Sequence, residues 1–254
     1  MSIERIKSML ELCSGDKTLF PPTDLYNEGW MLRLCLDWFS NNLTRNHSLA
    51  ISKKVKWYSE ALLPSAFLAR KRGDKFAESW THADGVIGNF MIGKEGAGDL
   101  FLFPDAKHFV VIEAKMFSKL SSGVTNARYY NQAARNVGCI AEVLKRSKQK
   151  PSNLTRLGFY VVAPQIQIND DVFIRHMTHG SIQKIVKRRV DEYDGSKENW
   201  YRNWFLPTMN HIDIRTISWE EIISYIIQID PLEGKSLNDF YRLCIKFNQT
   251  HIRC

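Results

Sequence analysis

Very little in this chain points to a secreted, membrane-bound or low-complexity protein. Its five cysteines, Cys13, Cys35, Cys139, Cys244 and Cys254, are odd in number, far apart and without a Cys-x-x-Cys pair. That argues against a disulfide framework or a thiolate zinc site and fits a reducing compartment. No basic segment followed by an apolar run stands near the start, and no stretch approaches the ~20 apolar residues needed to cross a bilayer. A cytoplasmic location with no membrane partner is the expectation, and triplets such as Asn42-Leu43-Thr44 then meet no glycosylation machinery. Repeats, biased tracts and long Gly/Ser/Pro linkers are also missing, so residues 1–254 read as one domain.

Acidic residues are the next shortage, with 27 Asp+Glu against 35 Lys+Arg, a net charge of +8. Such a balance favours a polyanionic partner, nucleic acid first. Basic clusters at Lys53-Lys54, Arg70-Lys71-Arg72, Lys145 to Lys150 and Lys184 to Arg189 are candidate phosphate contacts. A hydrophobic content of 44%, with 12% aromatic, is ample for a packed core and excludes a disordered class.

Apolar periodicity divides the chain. A helix is expected from Asp24 to Ser40 after Pro21-Pro22, and a second helical region over about Val55 to Arg70, broken at Pro64. Gly85 to Ile92, Leu100 to Phe103 and Phe109 to Ala114 read as three strands, separated by a Gly-rich turn at Gly93 to Gly98 and a break at Pro104 to Lys107. Two consecutive hairpins join them most economically. After Gly123 a long amphipathic helix runs to about Lys148, followed by a strand at Leu157 to Ala163. Strand, helix and neighbouring strand make a right-handed crossover, so the fold class is α/β with a mixed sheet. A helix from about Phe173 to Glu192, a strand at Ile212 to Ile217, a helix opened by the capping box Ser218-Trp219-Glu220-Glu221 and a last helix from Leu237 complete the chain.

Chemistry concentrates where charge interrupts the strands. Asp99 precedes one strand, and Glu113-Ala114-Lys115 ends the next. Pairing these strands around residues 104–107 with an odd loop sets Asp99 opposite Glu113, on the face shared with Lys115. The literal Pro104-Asp105 pair is left at the hairpin tip, roughly 25 Å from Glu113 at ~3.3 Å per residue. Pairing through Gly93 to Gly98 sends Asp84 toward the other end of the sheet. Asp99 and Glu113, with the Ala114 carbonyl as a further oxygen, suit one or two hard divalent ions, Mg²⁺ first and Mn²⁺ as its substitute. Such ions polarise a phosphate and lower the pKa of bound water, while Lys115 handles that water.

Asp99, Glu113-Ala114-Lys115 and Gln132 on the next helix resemble the motif of the PD-(D/E)XK, or restriction-endonuclease-like, nuclease superfamily. The resemblance spans about residues 24 to 165 and leaves 166–254 as a C-terminal α/β extension. It implies an αβββαβ core, metal binding by Asp99 and Glu113, a nucleophilic water served by Lys115, and support from Gln132. Gly98 stands where the motif's name has Pro. Asn136 stands four residues after Gln132, where exonuclease-like relatives carry Tyr. Glu28 joins the candidates from its own position, on the stripe Glu28, Leu32, Cys35, Phe39 of the first helix. The function implied is Mg²⁺-dependent hydrolysis of phosphodiester bonds, in DNA before RNA, in restriction, phage defence or repair. A homodimer is compatible with it, and a catalytically idle nucleic-acid- or protein-binding module is the rival. Other signals are weaker: His176 and His179 lack partners for zinc, Gly93 to Gly98 lacks the ending of a phosphate loop, and Trp200 and Trp204 fit a core better than a base-stacking platform.

Overall fold

A computed structural model describes residues 2–12, 19–42, 46–93, 99–124 and 126–249. Five strands form one sheet in the order β1-β2-β5-β6-β7: β1 (Lys56–Leu63), β2 (Thr81–Gly88), β5 (His108–Ala114), β6 (Arg156–Ala163) and β7 (Asp213–Ser218). β1, β2 and β5 are antiparallel neighbours, whereas β5, β6 and β7 run parallel, so the sheet is mixed. β5 and β6 are almost unbroken apolar runs because both their faces are covered.

Helix α3 (Gln132–Arg146) makes the crossover between β5 and β6 and packs on one face with α6 (His179–Asp191). The core on that side holds Val111, Phe159, Val137 and Ile140. The opposite face is covered by α2 (Glu28–Asn41), α9 (Trp219–Ile229) and α10 (Pro231–Asn248), around Leu32, Phe39, Ile112 and Trp219. Caps set the helix starts. Asn27 accepts from Trp30 N ahead of α2, Asn131 from Ala134 N ahead of α3, and Ser218 from Glu221 N ahead of α9. The remaining elements are α1 (Ser2–Glu11), the ribbon β3 (Phe90–Ile92) and β4 (Leu100–Leu102), α4 (Gln165–Asn169), α5 (Ile174–Met177), and α7 (Glu198–Trp200) joined by a π-helical turn to α8 (Leu206–Met209). Among the described residues no helix is long and apolar enough to cross a membrane.

Three expectations are corrected. The segment expected as a helix over 55–70 is strand β1. Its Trp57 and Ser59 face α2, its Ala61 and Leu63 face the α3 side, and the reversal falls at Glu60, whose φ of 56° is left-handed. Burial still alternates along the strand, but Ser59 at a half-buried position and Tyr58 and Leu62 at the alternate ones leave the apolar residues at helical spacing. Next, the strand expected over 85–92 stops at Asn89, whose side chain donates to Lys54 O and accepts from Lys107 N. Third, β4 pairs with β3 and not with β5, so the hairpin that set Asp99 opposite Glu113 does not form. Of the Gly-rich turn, residues 94–98 lie outside the described residues.

Candidate active site

Residue register brings a different acid to Glu113. β2 and β5 pair as far as Gly85 and Ile112, which sets Asp84 opposite Glu113 at the next step. There the ladder gives way, and the Asp84 carboxylate accepts the Ala114 N–H at 2.7 Å in place of a backbone carbonyl. Asp84 is also where β2 changes face: Thr81 and Ala83 lie toward α3, whereas Gly85 lies against Leu32 and Leu36 of α2. The paired strand reverses at Glu60, opposite Asp84 between Ser59–Gly85 and Ala61–Ala83. A coordinated bend of two strands thus lifts one carboxylate out of the regular alternation and aims it at β5.

Glu113 is buried among polar partners. Lys115 Nζ stands 2.6 Å from one carboxylate oxygen, the Gln132 amide donates to that same oxygen, and Asn136 Nδ2 donates to the other at 3.2 Å. The Gln132 orientation is fixed from behind, because its Oε1 accepts Ser121 N at 3.0 Å and leaves only the NH₂ group for Glu113. Lys115 is held through its backbone, N–H to Val162 O and C=O from Trp219 Nε1. Burial first, and Asp84 second, push the Glu113 carboxyl well above the ordinary range, while Lys115 pulls it back. Glu28, the first residue of α2, is raised by burial and by Asp84 and lowered by Lys115, so it shares the electrostatic environment of the same group.

Asp84, Glu113, Lys115 and Gln132 therefore meet where β2 and β5 part, with the buried Ala114 between Glu113 and Lys115, and Glu28 acts on them through its charge. Asp99 does not stand opposite Glu113. Its backbone bridges Leu62 on the outer edge of β1 and accepts Gly93 N, three strand spacings from β5, about 14 Å along the sheet at ~4.8 Å per spacing. The sequence reading underweighted Asp84, although a carboxylate inside the window Ala83 to Ile87 was a visible signal. Asn136 was read as a missing Tyr; its place one turn after Gln132 was the cue to its contact. His176 meets Asn131 at 2.9 Å and His179 faces Ile212 O, so the two do not converge, and Trp200 is buried in the core.

The donor set suits a hard divalent cation. Two neighbouring carboxylates repel when both are ionised, and a cation relieves that repulsion. Among the described residues no group of three His, Cys, Asp or Glu side chains is arranged to hold a metal ion. An ion here would rest on two carboxylates and retain water, which is the coordination Mg²⁺ favours. No family model, curated protein or solved structure matches the chain.

Proposed function

We propose that this protein is a divalent-metal-dependent nuclease of the PD-(D/E)XK type that hydrolyses phosphodiester bonds in DNA, with Asp84 in the place expected for Asp99. The observation that carries the reading is the meeting of Asp84, Glu113 and Lys115 where β2 and β5 part, backed by Gln132 from the crossover helix. The order α2-β1-β2-β5-α3-β6 also supports it, since it reads αβββαβ with the ribbon β3–β4 inserted before the third core strand. The charge of +8 favours a nucleic-acid substrate. Buried free thiols at Cys35, Cys139 and Cys244 suit a reducing, cytoplasmic setting.

Mg²⁺, or Mn²⁺ in its place, would be held by Asp84 and Glu113, with Glu28 adding its charge to the site, and would supply Lewis-acid polarisation of the phosphate. The chain's own groups do the rest. Lys115 offsets charge on the phosphate and orients the attacking water. Gln132 and Asn136 fix the Glu113 carboxylate so that both of its oxygens keep one geometry. All of these groups belong to one chain, so the chemistry needs no second copy.

Incubation with linear, circular and single-stranded DNA and with RNA, plus Mg²⁺ or Mn²⁺, tests the reading beside Glu113→Ala and Lys115→Ala. Wild type is expected to cleave DNA only with the divalent ion, and each variant to lose about 100-fold or more. Identical behaviour of all three proteins on every substrate would sink it.

A further inference from the structure

The far end of the sheet carries a second polar feature. A cavity of about 710 Å³ opens where the segment 51–55, the Asn89 break and the start of β5 meet. Asp105, the turn residue of the literal Pro-Asp pair, lines it, so that pair lies at the opposite end of β5 from Glu113. His108, also in its wall, is five residues before Glu113 along β5, about 17 Å at ~3.3 Å per residue.

Its charge is one-sided. Lys53, Lys54 and Lys107 reach it from two separate segments, against the single carboxylate of Asp105 among the described lining residues. Lys107 Nζ donates to Asn153 O at 3.1 Å and keeps two further N–H groups. Among the described residues Lys53 and Lys54 have no carboxylate within ion-pair distance. Arg156 adds to the field, because together with burial it keeps His108 neutral, down to about 4. Unpaired ammonium groups around one concavity repel each other and raise the local concentration of anions. The volume lies within the ~300–1,000 Å³ of small-ligand sites, and Ile51 and Val55 supply apolar wall for the uncharged part of a ligand.

We infer that this cavity binds a phosphate-bearing ligand of nucleotide size, either a free nucleoside phosphate or the phosphorylated end of a nucleic-acid strand. Lys53 and Lys54 neutralise the phosphates, Lys107 adds a third ammonium group, and the apolar wall receives the nucleoside. The site is independent of the acid pair and of any divalent ion.

Isothermal titration in EDTA with ATP, and with a tetranucleotide bearing either a 5′-phosphate or a 5′-hydroxyl, tests it on wild type, Glu113→Ala and Lys53→Ala/Lys54→Ala. Saturable binding is expected in wild type and equally in Glu113→Ala, with about a tenfold or greater loss in the double lysine variant, whose positions are exposed and whose thermal midpoint should not move. ATP binding alone identifies a free nucleotide; binding of the 5′-phosphorylated strand alone, absent for its 5′-hydroxyl form, identifies a strand end. Absence of saturable binding to any of these ligands, or binding indifferent to the lysine variant, overturns the inference. Since the titration uses no divalent ion and Glu113→Ala is an arm of it, failure here and failure of the nuclease reading are separate results.

Discussion

At Glu113, burial and the Asp84 carboxyl act against the charged form, while Lys115, Gln132 and Asn136 act for it. A fold selected for stability alone would resolve such a conflict with an apolar pair, which is why we assign it to function. Histidines show the same physics beside a like charge. His47 and His108 are both held down to about 4, by burial first and by Arg156 second. A free histidine titrates near 6.5, so between these values the unfolded chain binds protons that the folded chain refuses. Their contribution to stability is complete above about pH 6.5 and is lost as pH falls through 4, by roughly 2 kcal/mol per histidine at pH 5. The half-buried Glu28 and the buried Glu78 and Glu113 are raised and act in the opposite sense. The histidine effect is therefore read as a difference: urea unfolding of His47→Gln should lose about 2 kcal/mol less than wild type between pH 7.5 and pH 5. Parallel losses in the two proteins would contradict the assignment.

Elements add constraints that single residues do not carry. Helix α3 both covers the sheet and delivers Gln132 and Asn136, and its end is marked by Lys148 at φ 53°, beyond the cap Ser147. Gln149 N closes that end on Leu144 O at 2.9 Å. A left-handed position after a helix suits glycine, so Lys148→Gly is expected to raise stability by about 0.5–1 kcal/mol. An increase in the denaturant midpoint at constant m-value is the check, and a decrease would show that the Lys148 side chain contributes more than its backbone costs.

What was legible in the sequence follows from range. Strands β5 and β6, helix α2 and the cap at Ser218 are local patterns and stand within a few residues of expectation, whereas the crossover helix α3 begins only at Gln132 and not just after Gly123. The contact between Glu113 and Gln132 joins two elements with a clear period, β5 and α3. The partner of β5 was not legible. β4 is nearest in the chain, whereas β5 pairs with β2 across an inserted ribbon, and that register sets Asp84 and not Asp99 opposite Glu113. β1 was misread because its half-buried position 59 is a serine while Tyr58 and Leu62 occupy the alternate positions, so its apolar residues recur at helical spacing although burial alternates.

Across the whole molecule, the sheet has two chemically distinct ends, an acid pair with Lys115 at one and uncompensated lysines at the other, on a chain of net charge +8. Nucleic-acid binding by such a molecule must depend on ionic strength. Glu113→Gln, which should bind without cutting, is expected to lose about tenfold or more in affinity for a DNA duplex between 50 and 200 mM salt, the loss that as few as two phosphate contacts produce. Fluorescence anisotropy measures it, and an affinity indifferent to salt would remove the electrostatic argument for a nucleic-acid substrate. The central claim is that Asp84, and not Asp99, completes the centre at Glu113 and Lys115. Its most direct test is the metal-dependent cleavage rate of Asp84→Asn beside Asp99→Asn, at equal folded content by circular dichroism. An amide at position 84 still accepts the Ala114 N–H, so the strands hold while the charge for the metal is gone. The account predicts a loss of about 100-fold or more for Asp84→Asn and less than about threefold for Asp99→Asn; a cleavage rate that survives Asp84→Asn and collapses in Asp99→Asn would contradict it.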